Sequence, residues 1–322
     1  MIQESQFFYQ GFMSAIKHKI QHKATLANTI TDLLAIDKDA VYRRLRGEVN
    51  FSFSEMAIIA RNLGISLDNI AGIENLQSKP TKMNFSRQVN PTEVDYEMFE
   101  GHVNLLKSIK DEPGTKIMSS GSLFPHYLYS DFEYLTRFYM FFWNQASGFG
   151  KALPYQDITI PSRLRNLQKD TCKYAKYISS TIYVFDSLIF QRLVTNIQYF
   201  ARIRLIKEED VSLIKNDLMA FLETIENMAI KGKHEETGNA VSLFISDTDC
   251  ETNYSCLKSK NIQLTLFFAY LLNAIVSMDD DVFNETCAWI QSLQRMSTLI
   301  SFSGERIRAT FFNTQRTIIN SL

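Results

Sequence analysis

The sequence predicts a mainly α protein: a five-helix N-terminal unit, then a larger α+β region whose helices carry a small antiparallel meander. Three observations lead there. Twelve glycines and six prolines are few for 322 residues, while 24 phenylalanines and 14 tyrosines supply bulky packing groups. That balance favours long helices with aromatic packing over a turn-rich β sandwich. Caps and stop glycines recur at short intervals up to about residue 75. Beyond residue 92 apolar positions recur at helical spacing, except over 240–277, where β-branched and aromatic residues gather.

A chain of 322 residues fits two domains, since single domains run to about 100–150 residues. The boundaries fall at 1–75, a polar linker over 76–91 punctuated by Pro80 and Pro91, and 92–322. Hydrophobic residues make up 45% and charged residues 21%, so a packed core is expected and disorder is not. The net charge of −1 confines any nucleic-acid surface to a local patch. The amino terminus lacks the basic and apolar run of a signal peptide. Ile262 to Val276, the most apolar segment, falls short of the roughly 20 residues of a membrane helix, so a soluble cytoplasmic protein without membrane contact is expected.

Within the first region the informative segment is Ile30-Thr-Asp-Leu-Leu-Ala-Ile-Asp-Lys-Asp-Ala-Val-Tyr-Arg-Arg-Leu-Arg-Gly47. Ile30, Leu33 and Leu34 share one helical face, and Ile36 closes the turn after them. Asp37 is a good N-cap for a helix beginning at Lys38, because a carboxylate there accepts orphan amide hydrogens and suits the positive end of the dipole. That helix buries Val41 and Leu45 and stops at Gly47. Ser52-Phe-Ser-Glu55 matches a capping box, followed by an apolar stripe of Met56, Ile59, Ala60 and Leu63. Gly64 ends that helix, and Ser66 can cap a short turn over Leu67–Gly72.

With its spacing, its caps and the ending Leu63-Gly-Ile-Ser-Leu-Asp-Asn-Ile70, this stretch resembles the Cro/C1-type (XRE family) helix-turn-helix over roughly residues 10–73. The resemblance implies a transcription regulator that binds double-stranded DNA, as a homodimer on palindromic sites, with the helix Lys38–Arg46 in the major groove. Ala35 stands where many family members have glycine. Lys38, Asp39, Tyr42, Arg43 and Arg46 point away from Val41 and Leu45. Arg43 can donate a bidentate pair to a guanine edge, and Lys38 and Arg46 can hold phosphates or bases. The stem of Arg44 can cover apolar surface while its head reaches phosphate. The competing reading is a solvated basic face on an ordinary helical bundle, or an interaction module that no longer binds DNA.

In the second region helices are expected over about 94–109, 125–146, 161–178, 187–205, 208–230, 280–296 and 304–321, with a strand at Lys116–Ser120. Asp111-Glu-Pro-Gly114 breaks the first helix, and Gly232 lies just beyond 208–230. Ala240–Ser246 and Ile262–Val276 read as an antiparallel meander, the latter folding back near Ala269; one buried helix over 262–276 is the alternative. On 125–146, Tyr134, Phe138, Phe141 and Phe142 form one row and Phe132, Leu135, Tyr139 and Trp143 another, as in a helix sandwiched in a core or at a dimer interface. The layout resembles one-component regulators whose second domain assembles or senses, loosely of GAF-like or PAS-like type.

Catalytic constellations are not found: there is no Walker-type loop, no Gly-x-Ser-x-Gly and no His-Glu-x-x-His, so no enzyme and no cofactor is expected. Cys172, Cys250, Cys256 and Cys287 lack a Cys-x-x-Cys pair and read as free thiols, with metal binding at Cys250 and Cys256 a remote alternative. Asp279-Asp-Asp281 sits where acids begin a helix. His18 and His22 are four apart but lack a third ligand. Two weaker candidates for a small ligand remain. Ser301-Phe-Ser-Gly-Glu-Arg-Ile-Arg308 sets Ser301, Ser303, Arg306 and Arg308 at a helix start, able to hold an anion or simply to cap. Ser119-Ser-Gly-Ser122 follows a strand.

Overall fold

The computed structural model describes residues 2–70, 82–148, 151–248, 252–269 and 271–322; Gly72 and Cys250 lie outside them. Helices α1 (Ile2–Lys19), α2 (Lys23–Leu34), α3 (Lys38–Leu45), α4 (Phe53–Leu63) and α5 (Leu67–Ile70) come first. Phe12 and Ile16 of α1, Leu26 and Ile30 of α2, Val41 and Leu45 of α3 and Met56 and Ile59 of α4 share one apolar cluster. Gly11 lets α1 meet α5: a Cβ there would stand 2.9 Å from Ile70 Cγ2. The capping box is present, with Ser52 N donating to Glu55 Oε2 at 2.7 Å and Glu55 N to Ser52 Oγ at 3.3 Å. Asp37 occupies the N-cap of α3 with extended backbone, but its side chain accepts no capping bond.

The rest is built on β1 (Lys82–Asn84), α6 (Glu93–Ile109), β2 (Lys116–Gly121), α7 (His126–Tyr129), α8 (Glu133–Ser147), α9 (Ser162–Ala175), β3 (Ser180–Asp186), α10 (Ile189–Arg202), α11 (Glu208–Lys231), β4 (Ala240–Ser246), β5 (Asn253–Lys258), β6 (Gln263–Ala269), β7 (Asn273–Ser277), α12 (Asp280–Arg295), β8 (Thr298–Leu299) and α13 (Glu305–Asn320). The eight strands form one mixed sheet in the order β1-β7-β6-β5-β2-β3-β4-β8. Its centre is parallel, β2 with β3 and β3 with β4, and its flanks are antiparallel. Parallel neighbours need long crossovers; α7–α9 supply the first and α10–α11 the second.

The expected mainly α fold with a small antiparallel meander is therefore overturned: this is an α/β fold with a substantial mixed sheet. Tyr183 and Phe185 of β3 join the large cluster under α8, α10 and α11, while Ile182 and Val184 join Phe283, Ile290 and Leu293 of α12 on the other face. A strand covered on both faces loses the polar–apolar alternation that marks a half-buried strand, so Thr181–Phe185 gave no strand signal between two helices. Ala240–Ser246 is a strand as expected, but it pairs in parallel with β3 and not with the meander. The true meander is β5-β6-β7, with β6 and β7 antiparallel as the fold-back of 262–276 requires. Residues 82–88, placed in the linker by sequence, hold β1 and the chain running from it onto the larger unit.

The expected helix over 125–146 is two helices. Phe132 is extended (φ −90°, ψ 109°), and Asp217 of α11 caps the new start, accepting from Tyr134 N at 2.6 Å and Leu135 N at 3.0 Å. The break turns α7 so that its side chains line a cavity described below. The rings of Phe138, Tyr139, Phe141 and Trp143 on α8 are buried within the chain. Among the described residues no helix is long and apolar enough to cross a membrane.

Candidate functional site

The turn into α3 is made without glycine. Ala35 takes the left-handed conformation (φ 51°, ψ 42°), a strain of about 1–2 kcal/mol for a residue with a Cβ. From that turn α3 drives Val41 and Leu45 into the core and leaves Lys38, Asp39, Arg43 and Arg46 exposed, with Tyr42 half-buried against the apolar cluster.

The three arginines differ. Arg44 is tied inward: Nη2 donates to Glu55 Oε1 at 2.9 Å and Nε to Glu55 Oε2 at 3.3 Å, with the guanidinium 5.9 Å from the centre of the Phe51 ring. Glu55 is the same carboxylate that closes the capping box of α4, so Arg44 braces α3 against α4. Burial raises the Glu55 pKa, but its bonds from Ser52 and Arg44 win and hold it below the usual carboxylate value. Arg43 and Arg46 stand outside and converge on Glu48, at 3.6 Å and 2.6 Å. The hydrogen bond from Arg46 is the main cause of the lowered Glu48 pKa. Both pairs are exposed, and exchange of Glu48 for a phosphate is inexpensive there because water screens either partner.

The polar groups of Ser301–Arg308 divide between internal bonds and solvent. Ser301 is buried and its Oγ accepts from Leu243 N at 3.0 Å. Arg308 Nη1 donates to the Ile300 and Ser303 carbonyls at 3.1 and 3.3 Å, closing the turn before α13. Ser303 and Arg306 are exposed and face solvent. At Ser119–Ser122, Ser119 Oγ shares a hydrogen bond with Ser255 Oγ at 2.8 Å, and Gly121 is required because a Cβ would overlap Asn253. Asp279 Oδ1 accepts from Asp281 N and Val282 N, both at 3.0 Å, as a helix cap. Cys172 and Cys256 are buried free thiols and Cys287 a half-buried one. Among the described residues no three His, Cys, Asp or Glu gather as a metal ion would need.

Sequence reasoning missed a cavity of about 200 Å³ between α6–α9 and the β6–β7 pair. His102 comes from α6, His126 and Tyr127 from α7, Gln168 from α9, and Phe268 and Asn273 from the two strands. The imidazoles lie 5.8 Å apart between ring centres. Burial, and then the neighbouring His102, push His126 down to about 3, and burial lowers His102 as well, so both rings are neutral at pH 7. No local motif signals this site, because its walls come from six elements and from the chain after β1. Comparison with family models, with curated proteins and with solved structures finds no match to this chain.

Proposed function

We propose that this chain is a sequence-specific, DNA-binding transcription regulator, a cytoplasmic binding protein and not an enzyme. It reads duplex DNA with α3 and pairs two copies through the region after residue 92. One observation carries the reading: α3 is held by an unusual left-handed turn and by the Arg44–Glu55 brace, yet presents Lys38, Arg43 and Arg46 to solvent on its outer face. An anchored helix with exposed cations along its outer face suits insertion in the major groove, where Arg43 takes a guanine edge and Lys38 and Arg46 take phosphates or bases.

The pairing of Arg43 and Arg46 with Glu48 favours a second reading, a module for protein assembly whose outer cations are already neutralised. One experiment separates the two. Fluorescence anisotropy against a randomised duplex pool is run at low and moderate salt, with an Arg43→Glu/Arg46→Glu variant beside the wild type. The regulator reading expects selective, salt-sensitive binding that falls by about 100-fold or more in the variant, each lost base or phosphate contact costing about 1–3 kcal/mol, with circular dichroism unchanged. Equal behaviour of the two proteins at both salts sinks it in favour of the assembly module.

A further inference from the structure

The cavity between α6–α9 and β6–β7 has three features that an ordinary packing gap lacks. It is large: an engineered apolar cavity of about 150 Å³ already admits benzene, and this one holds about 200 Å³. It contains unpaired polar atoms in a buried setting: Asn273 Nδ2 on a residue only 1% exposed, His102 Nε2 and Gln168 Oε1 each lack a hydrogen-bond partner. Leaving such groups unmatched costs about 1–3 kcal/mol apiece, a cost that an incoming partner removes. Finally, none of its described lining residues is Asp, Glu, Lys or Arg, so nothing there repays the desolvation of a formal charge.

Asn273 is itself held in place. Its Oδ1 accepts from Ser86 N at 2.9 Å and Ser86 Oγ at 3.1 Å, which leaves only its amide hydrogens to serve the cavity. Donor groups from Asn273, an acceptor at Gln168 and a neutral imidazole at His102 thus surround an aromatic wall that includes Phe268 and Tyr139. Apolar walls with a few convergent polar groups are the usual design of a small-molecule site.

We propose that this cavity binds an uncharged, ring-sized organic molecule carrying one or two hydrogen-bonding groups. Its regulatory consequence rests on the DNA-reading proposal; the binding itself does not. Ser86 follows β1, the first strand after the helix-turn-helix, and β1 pairs along β7. At its far end β7 runs into Asp280, whose carboxylate meets Lys19 of α1 at 3.0 Å. An occupant bonded to Asn273 therefore touches the strand that joins both connections to the N-terminal helices.

Calorimetric titration of the full chain tests the site with phenol and indole as uncharged rings, toluene as an apolar ring and benzoate as a charged one. The expected result is saturable one-to-one binding of phenol or indole, with benzoate about tenfold weaker or more. Ala274→Phe fills the cavity and abolishes binding. His102→Leu keeps the volume and removes the unpaired nitrogen, so it weakens phenol about tenfold while toluene is unaffected. If the folded wild type binds none of the uncharged rings, or if folded Ala274→Phe binds them as well as wild type, solvent alone fills the cavity and the proposal is overturned. DNA affinity measured with and without phenol keeps the two proposals apart. Phenol binding to a chain that never binds DNA overturns the regulator and leaves the site standing. Phenol binding that leaves a real DNA affinity unchanged removes the regulatory consequence.

Discussion

The outer face of α3 and the cavity behind α7 are assembled in opposite ways. α3 gathers its groups from consecutive residues, Lys38 to Arg46, on one helix whose inner side is anchored by Val41 and Leu45. The cavity draws on positions from Ser86 to Val276, brought together by α6, one crossover and a hairpin. On α3 the charges are exposed and trade partners with water and Glu48 at little cost. In the cavity Asn273 Nδ2, His102 Nε2 and Gln168 Oε1 have been taken from water without a partner, so each favours an occupant that can pair with it. The first surface is set by local pattern and tuned by screening, and the second by tertiary packing and desolvation.

The sharpest way to break this contrast is to damage the packing beneath the cavity. Phe221 is fully buried, 4.9 Å from Phe124 between ring centres and 6.5 Å from Tyr129, a cavity-lining ring. Phe221→Ala is expected to cost about 3–5 kcal/mol, read by urea denaturation, and to weaken phenol binding. Because the apolar cluster of α1–α4 is separate from the one around Phe221, far-ultraviolet signal from the N-terminal helices should persist where the larger unit has unfolded. A single transition shifted as one would show that the two regions fold as a unit.

The same contrast explains what could be read before the fold was known. The helices of the first region were legible because their signals are local: Ser52 to Glu55, Gly64, and Val41 four residues before Leu45. The helix over 208–230 was legible for the same reason, its apolar stripe running to the stop at Gly232. Thr181–Phe185 was not, since helices on both faces remove the alternation that identifies a strand. Nor was β5, whose Asn253–Lys258 has polar residues at its ends and only Cys256 and Leu257 buried as apolar residues, one in each of two separate clusters. The cavity was illegible altogether: His102, Gln168 and Asn273 are unremarkable at their own positions, and only the fold brings them together. Ser301 and Arg308, in contrast, looked like a ligand site because hydroxyls and guanidinium groups near a helix start suit capping and anion binding alike; Ser301 instead accepts from Leu243 N of β4 and Arg308 donates to the Ile300 and Ser303 carbonyls.

Acid sharpens the comparison further. His126 is held down to about 3 and His234 to about 4, in each case chiefly by burial, with Lys176 adding to the effect at His234 and Glu236 opposing it. Around His126 the facing titratable groups are His102 and Tyr127, and no carboxylate lines the cavity. An unfolded histidine takes up a proton near pH 6.5, whereas these native rings do not until far lower. The unfolded state therefore binds more protons, and stability present in full above pH 6.5 is lost as pH falls toward 4 for His234 and toward 3 for His126. Each imidazole contributes about 1–2 kcal/mol of that loss by pH 5. Urea denaturation at pH 7.5 and 5 should give a smaller loss for His126→Gln than for wild type, the ordinary carboxylates cancelling between the two proteins. Identical losses would mean that the ring is wet and the cavity open to water.

The smallest effect lies within α3 itself, where two neighbouring guanidinium groups play unlike parts. Arg44 and Glu55 have side chains about one-fifth exposed and meet through two hydrogen bonds, whereas Arg46 and Glu48 are about half exposed and meet through one. Arg44→Met keeps most of the stem but leaves Glu55 with only its capping bond, so stability should fall by about 1 kcal/mol, the partly wetted edge of the pair softening the loss. Arg46→Met should leave stability unchanged and, on the regulator reading, weaken DNA binding and flatten its salt dependence by about one counterion. On the regulator reading, Arg44→Met, once folded, should bind DNA with nearly the wild-type salt slope, because the charge it removes is engaged with Glu55 of α4. A reversed outcome, with Arg44→Met losing the salt slope and Arg46→Met losing stability, would mean that the inward guanidinium swings out to DNA and that Arg46 belongs to the scaffold.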